Sequence, residues 1–199
     1  MELPHLSPPQ VRILQAALAA VEPGAAVRRF MQRSRGQLAI AGRTYDLDRC
    51  AHVHLAGGGK AAAPMALAAA EILGEYLSGG VLVTKTGHAA AEDRTRLPGV
   101  TLAEAAHPVP DERGVQAGRK VLALAQGAGQ DDLLICLLSG GGSALLTAPH
   151  VPLAGLQTLT GQLLACGAAI NEINCLRKHL DAVKGGGLAR AAFPADVAA

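Results

Sequence analysis

The chain has 199 residues, half of them hydrophobic, with 24 glycines, no tryptophan, two phenylalanines and two tyrosines. Its 18 basic and 16 acidic residues leave a net charge of +2, too balanced to argue for nucleic acid or an anionic membrane as partner. No apolar run is long enough to span a bilayer, and Met1-Glu2-Leu3-Pro4-His5 lacks the basic start and apolar core of a signal peptide.

With so few aromatic residues the core must be aliphatic. The glycine content suits an α/β fold with many tight strand-to-helix turns. Cys50, Cys136, Cys166 and Cys175 form no CxxC pair and no zinc spacing, which fits reduced thiols in a cytoplasmic protein.

Residues 7–35 read as helix in two pieces. Ser7 can cap, Pro8 and Pro9 fit a first turn, and Val11, Leu14, Leu18 and Val21 recur at helical spacing. Pro23-Gly24 interrupts, and the pattern resumes from Ala26 to Gln32. Arg28, Arg29, Arg33 and Arg35 form a basic patch, read first as a solvated face. Two short apolar runs between Leu38 and Leu47 flank Ala41-Gly42 and suggest a hairpin. Ala51 to Ala56 reads as a strand carrying His52 and His54 on one face. Nothing nearby completes a metal site around them.

Gly57-Gly58-Gly59-Lys60 follows that strand, and Ala61 to Leu73 is a strong helix former. A lysine held by such a turn can place a point charge beside phosphate oxygens. The spacing is not that of a dinucleotide fingerprint. Val81 to Thr84 is a third strand, ending in Lys85-Thr86-Gly87-His88. Val100 to Ala105 is a fourth, ending in His107-Pro108-Val109-Pro110-Asp111, with Asp111 placed to cap a helix to about Gln126.

The apolar run Leu133 to Leu138 reads as a strand buried on both faces. Ser139-Gly140-Gly141-Gly142-Ser143 follows at once. Its backbone can take φ > 0 and approach an anion closely. A helix starting near Ser143 would aim its positive end at the same spot. No Gly-Lys-Ser/Thr ends the loop, so it is not a P-loop. In an open parallel sheet the carboxyl ends of the strands line the ligand crevice, so Lys60, Lys85, His88, His107 and this loop are expected along one edge. Leu153 to Cys166 reads as amphipathic helix. A second helix over Ile170 to Leu180 puts Asn171, Asn174 and Lys178 on one stripe. Lys184-Gly185-Gly186-Gly187 repeats the lysine–glycine theme. Ala195 to Ala199 stops without a cap or tail, as if cut at an incoming strand.

Gly57 to Lys60, Lys85 to His88 with His107 to Asp111, the loop from Ser139, and Ile170 to Gly186 together resemble the D-glycerate 2-kinases whose C-terminal domain is of the MOFRL type. The resemblance is to their N-terminal half and covers nearly the whole chain. It implies a three-layer αβα domain with a mostly parallel, Rossmann-like sheet and N-terminal helices. On that reading residues 7–35 are the helices, 38–150 the α/β core and 151–192 the C-terminal helices, with the second domain absent. It also implies ATP and Mg²⁺ as cofactors and D-glycerate as the small-molecule partner. The family's active site lies in a cleft against the C-terminal domain, and a homodimer is left open. By resemblance Lys60 is the catalytic position. Gly58, Gly59, Ser139, Gly140, Gly141, Gly142 and Ser143 form the phosphate cradle. Asn174, Arg177 and Lys178 contact substrate, and Lys85 is a weaker candidate. Thr86 stands where relatives often carry an aromatic residue, so a stacking contact there is in doubt. With half a cleft, little kinase activity is expected from these residues alone. Two other readings stand beside this one: an NAD(P)H-dependent hydroxypyruvate reductase and a non-catalytic anion-binding module.

Overall fold

A computed structural model describes residues 7–199. Residues 1–6, the stretch read for a leader, lie outside it. Two helices open the described chain, α1 (Pro8–Ala20) and α2 (Pro23–Phe30). The Gln10 side-chain oxygen accepts from the Ser7 N–H at 2.8 Å at the start of α1. Glu22 caps α2, accepting from Gly24 N–H at 2.8 Å. The helical reading to residue 35 is too long. Residues Met31–Ser34 form a strand, β1, and pair antiparallel with β2 (Gln37–Ile40), which pairs in turn with β3 (Arg43–Asp46). The reason is tertiary. As a strand, Met31 reaches the core beside buried Leu38 and Leu47, which outweighs the local helical pattern. The hairpin at Ala41-Gly42 is present as expected.

The main sheet has five parallel strands: β4 (His52–Gly58), β5 (Leu77–Lys85), β6 (Val100–Ala105), β7 (Asp132–Leu138) and β8 (Asp196–Ala198). Their order in space is β6-β5-β4-β7-β8. Helices α3 (Ala62–Leu73), α4 (Ala91–Thr95), α5 (Glu112–Gln126), α6 (Gly142–Leu145), α7 (Leu153–Ala165), α8 (Ile170–His179) and α9 (Gly187–Ala192) connect or flank them. Side chains alternate between two cores. Val53, Leu55, Leu82, Leu102, Leu133, Ile135 and Leu137 pack with α3 and the small sheet. Ala56, Val83, Ala105, Leu134 and Cys136 pack with α5, α6 and α9. This is the expected three-layer αβα arrangement.

Some elements differ from the expectation. β5 begins at Leu77, four residues early, because Gly79 and Gly80 are poor strand formers in isolation but lie against the neighbouring backbone of Gly99 and Leu55. Leu138, read as fully buried, is 57% exposed; β8 pairs only with Leu133 to Ile135, leaving the end of β7 uncovered. Leu18 and Val21 of the α1 pattern are exposed. Among the described residues no helix is long and apolar enough to cross a membrane, and all four cysteines are free.

Candidate active site

Winding proceeds outward from β4 to β5 and β6, then returns to the other side of β4 with β7 and β8. The direction reverses between β4 and β7. Their carboxyl ends form a switch-point crevice, the usual ligand position in an open α/β sheet. The two glycine turns named above are what follow those two ends.

They are laced together. Ser139 N–H donates to Gly58 O at 3.2 Å, Gly59 N–H to Val83 O at 2.9 Å and Lys60 N–H to Gly140 O at 2.9 Å. Ala61 N–H donates to Ser139 Oγ at 3.1 Å. The approach requires glycine. Gly59 has φ +143°, and a Cβ there would overlap Ser139; at Gly142 a Cβ would meet Gly58 O at 2.8 Å. The Lys60 carbonyl is held from the other side by Thr84 Oγ1 at 3.5 Å and faces His88 Nδ1 at 3.3 Å.

These bonds narrow the cradle. The amides of Gly59, Lys60, Ala61, Ser139 and Gly142 are spent on the scaffold, and the hydrogen bonds of the described residues leave Gly140 and Gly141 N–H without a partner. The helix expected after the loop is also smaller than anticipated. α6 is a single turn of four residues, so its macrodipole adds little.

Side chains from two other segments border Gly141. A Cβ on Gly141 would lie 3.4 Å from Lys60 Cε and 3.1 Å from His107 Cδ2 and Nε2. Burial, then the charges of Lys60, Lys85 and Arg177, hold His107 below the ordinary histidine range. Lys60 is exposed, whereas Lys85, His107 and Arg177 are half-buried.

A cavity of about 570 Å³ adjoins the loop, lined among others by Ser139, Gly142, Ser143, Asn174, Arg177 and Lys178. Lys60 and Lys85 do not line it. Arg177 is the shared member, reaching the cavity and bearing on His107. The stripe on α8 that faces the cavity is therefore Asn174, Arg177 and Lys178, and Asn171 is not part of it. Cys136 also lines the cavity, its thiol pushed up to about 11 by burial, which makes it a poor nucleophile at neutral pH.

Asp181 carries the wall of this cavity, and the sequence reading passed over it. It is 4% exposed. It accepts from Thr147 Oγ1, from Ala148 N–H at 3.1 Å and Val183 N–H at 3.1 Å, and pairs with Lys184. Lys184 also donates to Leu146 O at 2.9 Å. The third lysine–glycine motif thus anchors structure. An acid three residues before a lysine was the available signal, hidden because i,i+3 pairs usually lie on exposed helices.

The arrangement defines a class: a parallel α/β domain with a glycine-lined crevice, bordered by Lys60 and His107, at its topological switch point. The chain belongs to the family described as a domain of unknown function, DUF4147, whose model matches residues 10–199. It is 41% identical to a D-glycerate 2-kinase of Thermotoga maritima over 95% of this chain and 42% of that protein. It is 40% identical to the glycerate kinase of Homo sapiens over 94% of this chain and 38% of that protein. A protein of Agrobacterium vitis named, provisionally, a hydroxypyruvate reductase is 43% identical over 92% and 38%. The crystal structure of glycerate kinase from Thermotoga maritima superposes with a TM-score of 0.76 at 39% identity, covering 94% of this chain and 41% of that one. The PH0495 protein of Pyrococcus horikoshii gives 0.81 at 34% identity, covering 94% and 42%. The chain spans about two fifths of the length of the relatives it matches.

Proposed function

We propose that this chain supplies one wall of the active site of an ATP-dependent D-glycerate 2-kinase, forming 2-phosphoglycerate. The single observation that carries this reading is the interlocked pair of glycine turns at the switch point, with Lys60 held over Gly141. Phosphoryl transfer is mostly positioning and electrostatic stabilisation. Lys60 contributes a positive charge for the transferring group, and Gly140 and Gly141 offer amide donors, the latter in a gap that a side chain would fill. Gly58, Gly59, Ser139, Gly142 and Ser143 set the shape of the cradle, and Lys85 adds charge at its rim. Asn174, Arg177 and Lys178 bind a carboxylate or phosphate of the substrates in the adjoining cavity. A cradle that a Cβ would fill suits a phosphate of ATP. Among the described residues no three His, Cys, Asp or Glu side chains cluster; Mg²⁺ would be carried mainly by the phosphates of ATP and water, and no step is assigned to the ion here. The four free thiols suit the reducing cytoplasm.

The test is glycerate-dependent formation of ADP by the complete protein that carries this domain, with and without Lys60→Ala. A fall in kcat of about 10²-fold or more is expected, with folding unchanged because Lys60 is exposed. A full-rate variant removes Lys60 from the mechanism. The 199 residues alone are expected to bind anions weakly and turn over little, since half a cleft leaves the charges screened by water. The name borne by the Agrobacterium relative supplies a second reading, which hydroxypyruvate-dependent oxidation of NADH would support.

A further inference from the structure

We propose that His107 is the proton acceptor for the substrate hydroxyl at this site, a role that rests on the kinase reading above. The imidazole follows the end of β6. Its Nε2 and Cδ2 lie 3.1 Å from the point a Gly141 Cβ would fill, and Lys60 Cε lies 3.4 Å from the same point. A ring nitrogen and the lysine stem thus border one gap, open only because residue 141 is glycine.

The charged groups facing His107 come from three elements: Lys60 from the β4–α3 turn, Lys85 from the end of β5 and Arg177 from α8. No carboxylate offsets them. The nearby acids and the second histidine are otherwise engaged. Glu104 accepts from Gly87 N–H at 2.7 Å and pairs with Arg94. Asp111 caps α5 through Gly114 N–H and pairs with Arg113. His88 faces the Lys60 carbonyl. Burial and these cations favour the neutral imidazole, and the cations themselves supply the attraction for anions. A neutral imidazole adds little to that attraction. What it adds is a lone pair, in a site where an anionic alcohol must lose a proton.

In the step this supports, the hydroxyl proton of glycerate passes to the ring nitrogen as the hydroxyl oxygen bonds to the γ-phosphorus. The bond from that phosphorus to its bridging oxygen breaks, and the electron pair leaves with the nucleoside diphosphate. The imidazolium then returns its proton to solvent. Kinases commonly place a base at this position in the reaction, and such bases contribute about 10²–10⁴-fold.

The test uses the complete protein carrying this domain. His107→Gln is expected to lower kcat by about 10²-fold or more and to abolish the acid limb of the pH profile of kcat/KM. A variant that keeps the acid limb, or keeps nearly the wild-type rate, overturns the proposal. His107→Asn serves as a second variant, and should neither fold, the wild-type imidazole decides. Nitrogen NMR of that ring is expected to show a neutral His107 at pH 7, with a pKa matching the acid limb; a charged ring at pH 7 overturns the proposal. A wild-type protein that forms no ADP from glycerate and ATP refutes the kinase reading itself and the base with it. Normal turnover with a pH-independent His107→Gln effect refutes the base alone.

Discussion

Asp181→Ala tests the structural half of the account. Asp181 is buried and serves four donors: Thr147, the amides of Ala148 and Val183, and Lys184. Its removal strands two backbone amides and a lysine whose side chain is only 14% exposed. Breaking a buried ion pair by deleting one partner costs about 3–5 kcal/mol. The amides point the same way, at about 1–3 kcal/mol for each group left without a partner, partly counted already in that figure. Urea unfolding should therefore show a loss of about 3–5 kcal/mol in Asp181→Ala, a large share of the stability of a domain this size. The diagnostic comparison is Asp181→Ala with Lys184→Met. Removing the orphaned charge should recover about 2 kcal/mol, because an apolar side chain has no desolvation cost to meet. A double variant no more stable than Asp181→Ala, or a single variant within about 1 kcal/mol of wild type, would refute the idea that a buried ion pair anchors the cavity wall.

Two glycines in helices should respond with opposite signs. Gly118 on α5 lies against the backbone of Thr147, where a Cβ would overlap the carbonyl oxygen, so Gly118→Ala is expected to cost about 1–3 kcal/mol. Gly161 on α7 has nothing within 4 Å of its Cβ position, so Gly161→Ala should gain up to about 1 kcal/mol; thermal unfolding of both checks the pair. Stability should also fall in mild acid. Burial holds His54 and His107 below the ordinary histidine range. As pH falls below about 6.5 the unfolded chain takes up protons that the folded chain refuses, so stability declines towards the folded pKa values and then levels until carboxylates titrate. Urea midpoints at pH 7.5 and 5.5 measure this, and a higher midpoint at pH 5.5 contradicts it.

Much of the site's layout was legible because its signals are local. β4, β6 and β7 announce themselves as apolar runs ending in glycine or His-Pro, and Asp111 caps α5 as read, accepting from Gly114 N–H at 3.0 Å. Parallel pairing then forces those strand ends to one edge. What escaped depends on long-range partners. Met31 becomes strand because Ile40 pairs with it, and Gly79 and Gly80 extend β5 because adjoining backbone leaves no room for a side chain. The loop amides were read as free, but several are taken up by the neighbouring turn, which no single segment could reveal. Asp181 and Lys184 look like a surface pair until Thr147 and Leu146 close over them. Leu153 to Ala165 has the expected helix, yet only Leu156 and Thr160 of it are buried, so its pattern overstated its burial.

The carboxyl ends of β4 and β7 are proposed to hold a negatively charged phosphoryl group. Amide NMR of the 199-residue chain titrated with ATP tests it most directly. Saturable shifts centred on Gly140, Gly141 and Ser143, abolished by Lys60→Ala, are the expected result. Shifts centred instead on the opposite end of the sheet, around His52 and Asp132, or none at millimolar ATP, would contradict it.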